Sequence, residues 1–408
     1  MLDPLDVISS LENVFPTLQP IYSADAQTIV GYEVFNCFKQ DETKYALDAF
    51  FLDDTIPTEY RFDASMEIGK KALHVMEVHN FSGFFVFKNT IDVLLHDDYE
   101  AFTQLVDDSS FIQFDQIIIE IQEPDLQSNF EKVEHLLNYL KTYGYRLSIS
   151  QVGIRGGQLD RLTQIQPNTM KLDLPLLRQQ LSTEALRDML YTITLHARKI
   201  GAALAFEKIE QEHQLQEAWR YGGRYYQGSL LGDKLNSIVT EDLTKLFLQE
   251  ALGRFTIQER KRLETVQDWS DKFSDKLRNI VSKPVNLEAL DNEIFQLAQH
   301  FTKEAFRFYA CNEVGFQLSS NIEKEEGVWI LKEEYKSRNW SWRPYFLTQI
   351  LRMNREKTGM VSDFYSDIET GEWIRTFAFP LGQSTFLFID LTYEYLYEHD
   401  YLLLSSFA

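Results

Sequence analysis

Residues 146–173, RLSISQVGIRGGQLDRLTQIQPNTMKLD, contain one complete structural unit, and their reading decides the fold of the first half of the chain. Arg146 to Ile149 reads as a short apolar strand, Gly153 to Gly157 as a flexible turn, Gln158 to Ile165 as one face of a helix, and Met170 to Leu172 as a second buried strand. Strand, helix and strand in that order form a βαβ unit. Such units imply parallel strands with chemistry at the strands' C-terminal ends. Those ends carry Ser150 and Gln151 on one strand and Lys171 with Asp173 on the next. One end keeps its charges and the other is neutral.

The same rhythm extends in both directions. Upstream, residues 3 to 13 read as a short amphipathic helix. A hairpin follows, with strands near Thr17 to Tyr22 and Thr28 to Val34. A helix at 65–79 leads to the apolar strand Gly83 to Phe87, which ends in Lys88-Asn89. A helix at 99–106 precedes the strand Gln116 to Ile121, and a helix at 128–143 closes that side. Downstream come a helix at 183–200, a strand at 202–206 ending in Glu207, a helix at 212–221 and a short strand reaching Gln227-Gly228. Strands this apolar do not suit a sheet that faces solvent. Their alternation with helices predicts a closed parallel (β/α) barrel.

The rhythm stops near residue 235. Residues 241–282 are charged and helical, with Leu263, Val266, Ser270, Phe273, Leu277 and Ile280 at spacings of three and four. That stripe suits either a coiled coil or a linker helix packed on its own domain, and Pro284 ends it. From 287 onward, strands at 307–311, 328–331, 376–380 and 385–390 with flanking helices predict a small antiparallel α+β domain. It contains Asn339-Trp340-Ser341-Trp342-Arg343-Pro344-Tyr345-Phe346. Trp340, Trp342, Arg343 and Tyr345 are candidates to line a sensory ligand cavity, or else to pin a helix against the sheet. The domain plan is 1–240 for the barrel, 241–285 for the linker helix and 286–408 for the last domain.

Composition sets outer bounds. The 408 residues are 44% hydrophobic and 14% aromatic, enough for two packed cores. With 40 Lys+Arg against 62 Asp+Glu, the net charge of −22 argues against nucleic acid and anionic membranes as partners. A local pocket for one small anion is still compatible with it. No apolar run is long enough to span a bilayer, and Cys37 and Cys311 lie far apart with no metal-ligand spacing. A cytoplasmic protein is expected.

The polar residues predicted at the strand ends are Glu33, Lys88, Glu120, Ser150, Gln151, Lys171, Glu207 and Gln227. Carboxylates and a lysine gathered from separate strands suit a metal-assisted phosphodiester site. At these residues the chain resembles the EAL domain. Gly31-Tyr32-Glu33-Val34-Phe35 stands for GYEAL, Ile119-Glu120-Ile121-Gln122-Glu123 for LELTE, and Met170-Lys171-Leu172-Asp173 for LKID. Phe206-Glu207-Lys208-Ile209-Glu210 stands for AEGVE, followed by Gln227-Gly228. The resemblance covers about residues 15 to 235 and implies a (β/α)8-type barrel that hydrolyses cyclic di-GMP. The tail, with NWSWRPYF and SDFYSDIETGEWIRTF, resembles the PAS-like (Cache-like) sensory domain that follows the barrel in one branch of the family.

By that resemblance Glu33 and Glu120 are metal ligands, Lys171 orients the attacking water, and Glu207 is the general base. Gln227 orders the site, and Glu123 and Glu210 support the loop over the metals. The departures carry as much information. The family's metal-binding Asn falls at Lys88, or at Asn89 with a one-residue slip. The paired aspartates of its DDFG motif fall at Ser150 and Gln151, and its phosphate-gripping arginine falls at Cys37. Two lost carboxylates and one added ammonium make the site about three charge units more positive. Each unit charge about 4 Å from a cation is worth roughly 4 kcal/mol at an effective dielectric of about 20, and twice that for a divalent ion. A two-magnesium site is not expected to survive, and no cofactor is expected beyond a residual Mg or Mn site. Lys88 is instead a candidate to place its ammonium at the metal position and pair with Glu33 and Glu120.

The reading that follows is a catalytically inactive EAL-like protein, acting as a cyclic di-GMP receptor or regulator with a sensory C-terminal domain. The alternatives are a scaffold that binds a protein partner and no nucleotide, and an active phosphodiesterase that yields linear pGpG. The resemblance also implies a homodimer.

Overall fold

The computed structural model describes residues 2–127, 130–154, 159–239, 242–281, 286–343, 346–382 and 384–403. It separates into two compact units, 1–255 and 256–408.

The first unit holds nine strands: β1 (Val14–Ser23), β2 (Ile29–Gln40), β3 (Thr43–Ala46), β4 (Phe84–Lys88), β5 (Ile117–Gln122), β6 (Arg146–Ser150), β7 (Thr169–Asp173), β8 (Ala203–Glu207) and β9 (Gly223–Tyr226). Their hydrogen-bonded order is β1-β9-β8-β7-β6-β5-β4-β2, and β1 pairs again with β2, so eight strands close into a ring. The strand β3 extends β2 as an outer hairpin. From β2 to β9 every neighbouring pair is parallel. The expected entry hairpin is β1–β2, and β1 runs antiparallel to both β2 and β9. The reason is chain length: the few residues between Ser23 and Ile29 can make a hairpin but not the crossover that parallel strands need.

Period-two alternation assigns the two faces of each strand. Phe85, Ile117, Ile119, Leu147 and Ile149 pack outward into the large core beneath the helices. Ile21, Phe84, Val86, Ile118 and Tyr225 meet one another from different strands in a smaller cluster inside the ring. The helix Thr183–Ile200 shows why the outer layer forms where it does. The Ser182 side chain caps it by accepting from the Ala185 amide, and Gly201 ends it in the left-handed conformation. Its buried Leu186, Leu190, Ile193 and Ala197 recur at helical spacing. The turn predicted at 153–157 is described only through Ile154, so Gly156 and Gly157 lie outside the described residues, as does the predicted helix start at Gln158.

A long helix, Lys245–Ile280, carries the chain out of the first unit. Leu248, Ala251, Leu252 and Phe255 belong to the first core, whereas Trp269, Phe273 and Leu277 belong to the second. This answers the question raised by the three-and-four stripe: Ser270, Phe273 and Leu277 are buried in their own unit, and Leu263 is 43% exposed. The lower half of the stripe is core and not a seam for a second chain.

The second unit is built on an antiparallel sheet of β10 (Ala305–Asn312), β11 (Asn321–Glu325), β12 (Val328–Lys332), β13 (Met360–Val361), β16 (Thr376–Gly382) and β17 (Thr385–Leu391), with β14 (Tyr365–Ser366) and β15 (Trp373–Ile374) paired separately. Alternate residues again divide the faces. Phe308, Ala310, Leu387 and Ile389 pack with the long helix and with Leu290–Ala298, while Tyr309, Cys311, Phe386 and Phe388 pack with the helix Phe346–Glu356. The α+β architecture expected from the sequence is the one observed.

Candidate functional site

Four charged side chains converge at the C-terminal mouth of the barrel from four strands. Glu33 lies on β2, Glu120 on β5, Lys171 on β7 and Glu207 on β8. The Lys171 Nζ lies 2.6 Å from Glu33 Oε2, 3.2 Å from both Glu120 oxygens and 3.4 Å from Glu207 Oε2. Lys171, Glu33 and Glu120 are buried, and Glu207 is half-buried at the rim. Three carboxylates therefore share one ammonium, a geometry that needs hydrogen bonds on the remaining lone pairs to be tolerated away from water. Ser148 Oγ donates to Glu120 Oε2 at 3.1 Å, and Gln227 hydrogen-bonds Glu33 while its Nε2 donates to Gln19 Oε1 at 3.1 Å.

The protonation behaviour follows from this arrangement. Burial pushes the Glu33 carboxyl up, but the Lys171 ammonium beside it reverses that, and the group ends below the ordinary carboxylate range. Glu120 goes the other way: burial, with Glu33 and Glu207 nearby, outweighs Lys171 and raises it. Burial alone would lower Lys171, yet the three glutamates hold it well above the ordinary lysine range. The ammonium is permanently charged across the physiological range. Beneath the cluster a small cavity is lined by Glu120, Ser148, Thr169, Lys171, Phe206 and Gln227.

The remaining candidates are distributed as follows. Lys88 stands opposite Glu120 in the β4–β5 register and shares its face. The expectation that Lys88 would pair with Glu33 and Glu120 is corrected. Its side chain is exposed at the rim, it makes no ion pair with a described residue, and Lys171 takes that place. Asn89 turns away: its side chain donates to the Phe87 carbonyl and its amide to that of Glu120. Ser150 is buried with its hydroxyl toward the Ile121 carbonyl, and Gln151 follows in the left-handed conformation at φ 55°. Glu123 is buried and accepts from the Gly153 amide at 2.6 Å, bridging the β5 and β6 loops. Glu210 is exposed, its carboxylate outside the cluster. Cys37 lies on β2 beside Thr17 Oγ1 at 3.4 Å.

Two site residues escaped the sequence reading. Ser148 holds Glu120, and its signal was available, since it sits two residues before Ser150 on the same face of β6. Lys208 reaches Asp173 Oδ2 at 2.6 Å while Asp173 caps the helix Leu174–Gln180. Its cue was a lysine at the motif's glycine position.

In the second unit Trp340 is half-buried against the Tyr309 face and donates to Gln317 Oε1 at 2.9 Å. Arg343 lies over the Trp340 ring at 4.5 Å, and Trp342 is 61% exposed. Tyr345 lies outside the described residues. The Trp340–Arg343 pair thus packs a loop onto the sheet.

Glu33, Glu120 and Glu207 are oxygen donors of the type that hard cations prefer. As arranged they are an incomplete set for a metal ion, because the three carboxylates share the Lys171 ammonium and the strand end where the resemblance expects two further aspartates carries the neutral Ser150 and Gln151. No group of three or more His, Cys, Asp or Glu suited to a metal is found among the described residues.

A closed barrel that gathers these motif residues at one mouth, followed by a mixed sheet-and-helix unit, defines a class, and the chain belongs to the EAL-domain family. The EAL domain model matches residues 6–234, and an EAL-domain associated signalling protein domain matches 238–403. The chain is 40% identical over 409 residues to the uncharacterized EAL-domain containing protein YkuI of Bacillus subtilis (strain 168), covering 99% of this chain and 100% of that one. It superposes with a TM-score of 0.93 and 39% identity on the crystal structure of the Bacillus subtilis YkuI protein in complex with substrate c-di-GMP and calcium, over 98% and 100% of the two chains. The PaMucR phosphodiesterase in its c-di-GMP complex matches 57% of this chain and 98% of that one, with a TM-score of 0.50 and 16% identity, a likeness of fold alone. The protein is an EAL-domain signalling protein similar to YkuI across both units.

Proposed function

We propose that the chain is a cyclic di-GMP receptor or regulator that does not turn the nucleotide over, and that its second unit is the sensory element. The observation that carries this reading is the neutral pair Ser150-Gln151 at the end of β6, beside three carboxylates whose charge is already shared with the Lys171 ammonium. The neutral pair Ser150-Gln151 adds no charge to restore metal affinity. A divalent ion, where an EAL domain holds one, activates water and offsets charge developing on phosphate. Here the residues perform other work. Lys171 fixes the glutamates, Gln227 and Ser148 satisfy their outer oxygens, and Glu123 ties the β6 loop. Lys88 remains at the rim as a donor that a phosphodiester oxygen can meet. That a protein 39% identical to this one was crystallised with c-di-GMP supports binding.

One observation favours an active phosphodiesterase instead: the YkuI complex also holds calcium, with c-di-GMP described as its substrate. Titration calorimetry of the full chain with cyclic di-GMP, with and without magnesium, followed by chromatography of the nucleotide, separates the readings. Binding unaffected by magnesium with no pGpG supports the receptor, and magnesium-dependent pGpG supports the enzyme. Neither heat nor pGpG leaves a protein-binding scaffold. We place the chain in the cytoplasm as a homodimer. Its free cysteines, and the absence among the described residues of any helix long and apolar enough to cross a membrane, agree with the first part.

A further inference from the structure

Lys208 follows directly on Glu207, at φ 56°, in the left-handed region that a lysine rarely adopts. Two hydrogen bonds hold the backbone there: the Gln227 amide donates to the Phe206 carbonyl at 2.9 Å, and the Ile209 amide donates to the Gln227 carbonyl at 3.0 Å. From this position the side chain reaches back over the mouth to Asp173 Oδ2 at 2.6 Å. Asp173 is only 1% exposed, whereas Lys208 is 61% exposed, so a mobile surface ammonium reaches a fixed, buried carboxylate. Asp173 is the register partner of Glu207 on β8, so both carboxylates face the same side. The fields of Glu207 and Glu33 also act on Lys208.

We propose that Lys208 is a tethered counter-ion beside Asp173 and Glu207 that keeps divalent metal ions out of the mouth. Lys171 neutralises the buried floor of the cluster and Lys208 its rim. Between them they account for the mismatch between this acid-rich mouth and a metal site. This deepens the reading of a site without metal-dependent turnover and rests on it. Strain at residue 208 fits the role, because a glycine would adopt the same backbone freely and leave the carboxylates open.

The test is calcium binding to the full chain by calorimetry, without nucleotide, in the wild type and in Lys208→Gly, Lys208→Gln and Lys208→Arg. Glycine suits the backbone, glutamine keeps the strain and removes the charge, and arginine keeps both. Because the ammonium is largely in water, its effect is screened, and a gain of about tenfold is expected in the Gly and Gln variants. The Arg variant should match the wild type. Equal calcium affinity in all four proteins, or no binding in any, overturns the proposal. Unchanged calcium affinity with weakened cyclic di-GMP binding also overturns it and makes Lys208 a phosphate contact. Cyclic di-GMP titrations of the wild type, read separately, report on the receptor reading itself.

Discussion

Replacing Lys171 with methionine keeps the length of the side chain and removes its charge, leaving Glu33, Glu120 and Glu207 without the ammonium they share. Breaking a buried ion pair from one side costs about 3–5 kcal/mol, because the remaining charge is left uncompensated. A second route gives the same size. A carboxyl that must stay protonated in the folded state costs about 1.4 kcal/mol per pH unit above its ordinary value, so one such group reaches roughly 5 kcal/mol by pH 8. For a unit of this size 1 kcal/mol corresponds to about 2–4 °C in Tm, so the first unit should melt about 6–20 °C lower at pH 8.

The pH dependence distinguishes this from simple loss of packing. In the wild type Glu33 is depressed, so its contribution is present above the ordinary value of 4.5 and is lost as pH falls through its folded value. Lys171 is raised, so its contribution is complete below 10.5 and is lost only as pH rises through its folded value. Glu120 is raised, so its contribution is present below 4.5 and is lost as pH rises through its folded value. Without Lys171 the buried Glu33 and Glu120 carboxyls shift upward, so the variant loses stability steadily as pH rises above 4.5 and recovers most of it at pH 5. Thermal unfolding followed by circular dichroism at pH 5 and pH 8 reads this directly. A loss under about 3 °C at pH 8, or the same loss at both pH values, would refute the electrostatic account.

Two other outcomes test neighbouring parts of the argument. The triple substitution Ser150→Asp, Gln151→Asp and Lys88→Asn restores two carboxylates and removes an ammonium at the mouth, and calorimetry should then show manganese binding that the wild type lacks; no binding would mean that these are not the positions that set metal affinity. Phe273→Ala should destabilise the second unit by about 3–5 kcal/mol, since the ring packs 4.7 Å from Phe377 and 5.2 Å from Phe301, while Leu263→Ala at the exposed end of the same stripe should leave both the unfolding midpoint and the mass in sedimentation unchanged.

The barrel was legible because its strands are short, apolar and regularly interrupted, so that Phe84–Lys88 and Ile117–Gln122 leave little choice of structure. The direction of β1 was legible from the short link to β2, which allows only a hairpin, but its closure of the ring against β9 was not, since strand pattern does not name a partner. The stripe on the long helix was ambiguous for a related reason: spacing reports that a face is buried, not what buries it. At the site the sequence brought Glu33, Glu120, Lys171 and Glu207 together through their places at strand ends. It could not tell which lysine would sit among the acids. Lys88 and Lys171 both end strands, but β7 carries Lys171 inward below the rim while Lys88 is the last residue of β4 and faces solvent. Lys208 carried a different kind of signal, a charged residue at a glycine position, and its meaning depends on a backbone angle that only the structure supplies.

The two kinds of lysine divide the chemistry of the mouth. Lys171 is buried, and three carboxylates surround it, so its donors are already engaged and a nucleotide phosphate cannot recruit it without exposing the acids. Lys88 stands at the rim, where it attracts anions at modest desolvation cost, while Lys208 is tied to Asp173. On the proposed reading, affinity for a cyclic dinucleotide is therefore set by groups at the rim that a metal-dependent hydrolase does not need. The buried cluster has become a rigid floor, kept intact because removing any one of its charges leaves the others uncompensated. On that reading the asymmetry explains how acids suited to catalysis can persist in a barrel proposed only to bind.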